Sequence, residues 1–323
     1  MERLVTKEDR ATRAERDRPG VGKRVSILGV PLGYGCGMAG VDLGPAALRV
    51  ARLEERIASL GYVVQDLGDM KVVRPSNLTD GDSTARHLKE VAAACSELAL
   101  EVERLLIDGE FPLTLGGDHS IAAGSLAGVS SYYRKRGDDL GLIWFDAHAD
   151  MNTPETTSSG NLHGMPLAAV LGFGPSELTE IAGFKPKFKP EFCAHIGARD
   201  LDQGEKELIR RLGIRFFTMR EIDERGMNAC IDDALSIVSR ASAGYAVTFD
   251  VDVLDPTDAP GSGTLVRGGI TYREAHLGLE KIAEDGGMKS LEIVEINTAL
   301  DVNNRTAELG VELILSALGK TIL

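Results

Sequence analysis

Gly141-Leu142-Ile143-Trp144-Phe145-Asp146-Ala147-His148-Ala149-Asp150 is the stretch on which the fold turns. Its first five residues form an unbroken apolar run, the composition of a short strand covered on both faces. Asp146, His148 and Asp150 then follow at intervals of two. An extended backbone points alternate side chains the same way, so all three face one side at the end of a partly buried strand.

Working outward, similar strand-like runs lie at residues 24–30, 62–67, 112–115, 191–196, 214–218, 245–249 and 290–296. Helical periodicity fills 45–60, 84–108, 121–135, 204–212, 229–241, 272–284 and 306–318, while 31–44 and 74–83 read as loops. Strands alternating with helices predict an α/β fold with a largely parallel sheet covered on both faces. No internal repeat breaks the pattern, so residues 24–323 are expected to form one domain. Residues 1–23 mix Arg10, Arg13, Arg16 and Arg18 with Glu8, Asp9, Glu15 and Asp17, and read as a frayed arm. They lack the apolar stretch of a secretory signal and are too acidic for a transit peptide.

Bulk composition narrows the function classes. A chain of 323 residues with 43% apolar residues can bury a sizeable core. No apolar run approaches the roughly 20 residues of a membrane span. The formal charge of −13, from 36 basic and 49 acidic residues, argues against nucleic acid as a partner, because phosphate binding needs a basic face. An acidic cleft would attract a cationic substrate, although the same charge suits an ordinary solvated surface. Cys36, Cys95, Cys193 and Cys230 form no CxxC pair, so neither a disulfide framework nor a thiolate zinc site is expected, and a reducing cytoplasm is the simplest location.

Two further stretches resemble the first in chemistry. Asp250-Val251-Asp252 follows the run 245–249, and His119, within Gly116-Gly117-Asp118-His119-Ser120, follows 112–115. In open α/β sheets, ligands bind where strands end, at the carboxyl edge. Asp-Val-Asp alone is at least as readily a turn, and a lone His119 more readily a core histidine. Together the motifs crowd carboxylates at a buried edge, which is costly without a compensating cation. Asp146, Asp150, Asp250 and Asp252 match the charge of two divalent ions. An oxygen-rich shell with imidazoles and no thiolate favours manganese over zinc, although cobalt, nickel or iron could bind.

These three motifs resemble the signatures of the ureohydrolase family, whose members hydrolyse guanidino compounds, and the resemblance runs from about residue 26 to the end. It implies a three-layer α/β/α sandwich with a mainly parallel sheet, and two manganese ions per subunit. The implied ligands are His119, Asp146, His148, Asp150, Asp250 and Asp252. The loop 152–164, with Asn152, Ser159 and His163, resembles that of the arginase branch, as do 196–202 and 291–297. Thr298, Leu265 and Gln203 depart from it, each standing where proline is frequent.

The resemblance implies hydrolysis of L-arginine to L-ornithine and urea by a cytoplasmic homo-oligomer, a trimer or hexamer. Two ions sharing a water would acidify it toward neutral pH. Asp150 would carry a proton to the leaving amine, His163 would exchange protons with solvent, and Glu295 would hold the guanidinium. Asn152 and Ser159 would bind the α-carboxylate and Asp202 the α-ammonium, with Glu205 and Thr264 lining the pocket. Agmatine or guanidinobutyrate hydrolysis is the nearest alternative, a catalytically silent metal-binding homologue the next, and deacetylase-type chemistry a distant third.

Overall fold

Ten strands are formed among the described residues, 19–73 and 81–322 of the computed structural model. Arg24–Val30 (β1), Val63–Asp69 (β2), Phe111–Gly116 (β5), Gly141–Phe145 (β6), Cys193–Ile196 (β7), Arg215–Phe217 (β8), Tyr245–Asp250 (β9) and Met288–Val294 (β10) make one sheet. Every pairing in it is parallel, and the order is β2-β1-β5-β10-β9-β6-β7-β8. Gly81–Asp82 (β3) and Ala85–Arg86 (β4) form a separate antiparallel pair. Residues 1–18 of the expected arm, and 74–80 of the expected loop, lie outside the described residues.

The alternation of side chains across the sheet builds three layers. Ile143 and Phe145 enter one apolar cluster with Val247, Phe249, Leu291 and Ile293, under the helices Met227–Val238, Tyr272–Asp285 and Arg305–Ala317. Leu142 and Trp144 enter the other, under the helices Leu88–Ile107 and Ala122–Arg134. Each fully buried large side chain stabilises the layer by about 1.5–3 kcal/mol, which is why an apolar run of five suffices to define a central strand. Those last two helices pack closely because Gly124 and Gly128 carry no side chain. A Cβ at either would lie 2.4 Å from a backbone oxygen, of Cys95 and Ala99 respectively.

Several expected boundaries shift. The segment 45–60 is two helices, Gly44–Val50 and Leu53–Ala58, because Arg52 between them takes a left-handed backbone (φ 62°). The helix expected from 84 begins only at Leu88, after β4 and a left-handed His87 (φ 56°). Short helices at Pro166–Val170, Ser176–Thr179 and Met219–Arg225 lack enough length to show a clear period and were not anticipated. All four cysteines are free. Among the described residues, no helix is long and apolar enough to cross a membrane.

Candidate metal centre

The four central strands, β5, β10, β9 and β6, all end at the same edge, and the sequence-predicted metal ligands and Glu295 lie at or just beyond their ends, while Asp202 and Glu205 follow β7. His119 stands on a 3-10 turn, His119–Ile121, just beyond β5. Its Nδ1 lies 3.1 Å from Asp146 Oδ2, 3.1 Å from Asp150 Oδ2 and 3.2 Å from Asp250 Oδ2. His148 Nδ1 lies 3.0 Å from Asp252 Oδ2 and 3.4 Å from Asp146 Oδ1. Two donor groups result: His119 with Asp146 and Asp250, and Asp146 with His148 and Asp252, each with ligand atoms within 4.8 Å of one another. Asp146 belongs to both, so the two sites adjoin.

Local backbone bonds aim these carboxylates. Asp146 Oδ1 accepts the His148 N–H at 2.7 Å, and its Oδ2 accepts the Trp144 indole N–H at 3.0 Å. Asp250 Oδ1 accepts the Asp252 N–H at 2.8 Å, and Asp252 Oδ2 accepts the Thr264 hydroxyl at 2.9 Å. The Arg199 guanidinium, behind them, donates to the carbonyls of Asp252, Val253, Leu254 and Val266 and so holds the Asp252 turn. Asp150 and Glu295 both adopt left-handed backbones, φ 52° and 65°. Such conformations cost a side-chain-bearing residue about 1–2 kcal/mol. Partners on each side hold them: the Met151 N–H donates to Glu205 at 3.0 Å, and the Glu295 N–H to the Gly117 carbonyl at 2.8 Å.

The donor set fits divalent cations. His119 Nδ1 and Asp150 Oδ2 are buried and 3.1 Å apart, yet neither makes a hydrogen bond of normal geometry, although buried polar atoms are rarely left so. Without a cation, the cluster relieves its charge by taking protons. Burial, then the charges of Asp252 and Asp146, push Asp250 well above the ordinary carboxylate range. Burial and Asp146 push Asp150 up to about 7. Burial would lower His119, but the carboxylates around it hold it well above its ordinary value. Two divalent ions would neutralise the same four carboxylates.

A cleft opens above this cluster. His119, His148, Asp150, Asp250, Asn152, His163, Asp202, Glu205 and Thr264 line it, as do Asp200 and Gly164, which the sequence reading did not single out. Asp146, Asp252 and Glu295 are buried beneath. Asn152 Nδ2 donates to Asp202 Oδ2 at 2.9 Å, and its Oδ1 accepts the Thr156 hydroxyl at 2.9 Å. Ser159 is exposed and outside the lining, its Oγ accepting the Asn161 N–H at 3.2 Å. Glu205 accepts the Asp202 N–H at 2.8 Å, tying the helix Gln203–Leu212 to the cleft. Asp200 carried a weak signal: it stands two residues before Asp202, in the loop after β7.

An eight-stranded parallel sheet between helical layers, with adjoining His/Asp clusters at its carboxyl edge, defines an α/β/α protein built for a binuclear metal site. Comparison with known proteins sharpens the class. The family model described as "Arginase family" matches residues 23–319, and the chain belongs to that family. It is 48% identical to arginase from Bacillus caldovelox over 93% of this chain and all of the other, and superposes on that enzyme's native structure with a TM-score of 0.89. Arginase from Bacillus subtilis is 46% identical, over 93% of this chain and 99% of the relative, with a TM-score of 0.87 against its crystal structure. A hypothetical agmatinase from Burkholderia thailandensis is only 25% identical, with 92% of this chain and 85% of that one covered, and a TM-score of 0.69.

Proposed function

We propose that the two His/Asp clusters hold two manganese ions and that the chain there hydrolyses L-arginine to L-ornithine and urea. The observation that carries this reading is the sharing of Asp146 between the two donor groups, in a chain of this family. His119, Asp146, Asp150 and Asp250 surround one ion position, and His148 with Asp146 and Asp252 the other. Oxygen-rich shells with one imidazole each suit manganese.

When bound, the metal pair supplies a water acidified enough to act as a nucleophile near neutral pH. The chain's own groups do the rest. Glu295 pairs with the cationic guanidinium and fixes its plane by charge-assisted hydrogen bonds. Asp150 moves a proton to the departing amine nitrogen, which leaves poorly until protonated. His163, in the cleft lining, would pass to solvent the separate proton that the acidified water gives up before it attacks. Asn152 and Ser159 read the α-carboxylate and Asp202 the α-ammonium, while Glu205 and Thr264 support the wall. The exposed position of Ser159 makes its contact dependent on how far the substrate reaches out of the cleft.

The chain from residue 24 acts as one catalytic domain in a cytoplasmic homo-oligomer, a trimer or hexamer. Light scattering of the purified protein tests that state. The activity is tested by urea release from L-arginine and from agmatine by manganese-loaded protein. Urea from agmatine alone would overturn the substrate, and urea from neither would favour a catalytically silent metal binder.

A further inference from the structure

Glu292 is a carboxylate in the middle of the sheet, and the metal centre described above leaves it without a task. It lies on β10, across from Thr248 of β9 and Thr114 of β5, on the face covered by the helix Ala122–Arg134. Glu292 is 2% exposed, and neighbouring residues on that face, Leu142 and Trp144, are apolar. An ionised carboxylate in such a place is costly. Ser125 donates to Oε2, and the Thr248 hydroxyl, its cross-strand neighbour on β9, also favours the ionised form, against the burial that pushes the Glu292 pKa up. Oε1 is buried with no partner.

The hydroxyl of Thr248 leads elsewhere. Its Oγ1 lies 2.9 Å from Nε2 of His119, whose Nδ1 faces Asp146, Asp150 and Asp250. An imidazole that gives Nδ1 to a metal keeps its proton on Nε2, so His119 donates to Thr248. The hydroxyl proton is then available to Glu292, and all donors point one way, from the ion position to the buried carboxylate. His119 is also stacked on Trp144, with ring centroids 4.4 Å apart, so its plane is held while its proton is fixed.

We propose that Glu292 is a positioning residue for the metal centre, acting through Thr248 to fix the tautomer of His119 and to strengthen the ion that His119 holds. The inference rests on reading His119 as a metal ligand. It makes Glu292 a trade: a buried negative charge costs the metal-free protein stability and favours the loaded one. Carboxylates behind ligating histidines raise the basicity of the ring in this way.

The test is manganese titration, with metal content by elemental analysis and thermal unfolding of metal-free and loaded protein. Glu292→Gln keeps the shape and a hydrogen-bond acceptor but removes the charge. It should weaken one of the two ions about tenfold or more and leave the other unchanged. The metal-free Tm should be equal or higher, so the gain in Tm on loading should shrink. Thr248→Val should weaken the same ion, and the double variant no more than the stronger single one. Ser125→Ala, which keeps the charge, should bind both ions normally. Unaltered affinity in Glu292→Gln would overturn the proposal, as would a lower metal-free Tm or an equal loss in Ser125→Ala, either of which marks a packing role. Should Glu292→Gln not fold, Thr248→Val carries the test, and normal affinity there overturns it. Unsubstituted protein that binds no manganese would sink the reading of His119 itself.

Discussion

Nδ1 of His163 lies 2.9 Å from Oε1 of Glu295, and the same oxygen accepts the backbone N–H of His119 at 2.8 Å. The proposed guanidinium partner therefore orients the proposed proton carrier, from 132 residues away in the chain. Burial alone would lower the pKa of His163. The Glu295 carboxylate beside it outweighs that and pushes it up to about 9.

A histidine raised from about 6.5 to about 9 by a partner adds stability that is complete below the lower value and disappears as the pH rises through the upper one. Metal-free protein should thus lose stability between those limits, and Glu295→Gln should remove this loss while lowering the pKa of His163. Titration of the His163 ring by NMR, with thermal unfolding at both ends of the window, measures both. A His163 that titrates near its ordinary value in the unsubstituted metal-free protein contradicts the pairing.

His163→Asn should retain two manganese ions and lower kcat by on the order of 10²-fold, the smaller end of a general acid–base contribution. Steady-state kinetics and metal analysis of the same preparation decide it. Loss of metal would make His163 a structural support, and an unchanged kcat would end its role in proton exchange.

Chelation should abolish activity, and manganese should restore it better than magnesium, because imidazole and carboxylate share each donor group. Asp252→Ala removes the carboxylate nearest His148 and the acceptor of Thr264, so metal content and loaded-state Tm should fall together. Full activity after stringent metal removal would be incompatible with the mechanism.

Arginine should exceed agmatine in kcat/KM by at least about 10³-fold, since agmatine leaves the groups that read the α-carboxylate unpaired. Asn152→Ala should narrow that ratio chiefly through arginine. Asn152 also bridges Thr156 and Asp202, so this variant distinguishes two roles. A selective loss for arginine marks a carboxylate reader, and equal losses for both substrates mark a loop support.

The central architecture and the metal cluster were legible because both depend on short local patterns. Five consecutive apolar residues mark β6, and spacing by two puts Asp146, His148 and Asp150 on one side. What stayed hidden was set by distant partners. Nothing near Glu295 announces His163, and nothing near Asn152 announces Asp202. Asp200 and Gly164 reach the cleft through the paths of their loops. Glu292 reads as one more strand residue until β9 brings Thr248 beside it. The break at Arg52 and the late start at Leu88 depend on left-handed residues that are neither glycine nor asparagine, so the sequence carried no warning.

The strand order places β10, near the end of the chain, between β5 and β9. A nascent chain leaving the ribosome would already have exposed His119, Asp146, His148, Asp150, Asp250 and Asp252 before β10 was synthesised. The strands that aim these residues would still lack the member that separates β5 from β9. His119, which follows β5, can join the other five donors only after Met288–Val294 has inserted, because β5 and β9 are held in register through it, whereas β6 and β9 pair directly. Completion of the donor group that contains His119 is thereby postponed to the last stage of synthesis, and a chain truncated before β10 would carry all six residues without the strand that brings His119 to the others.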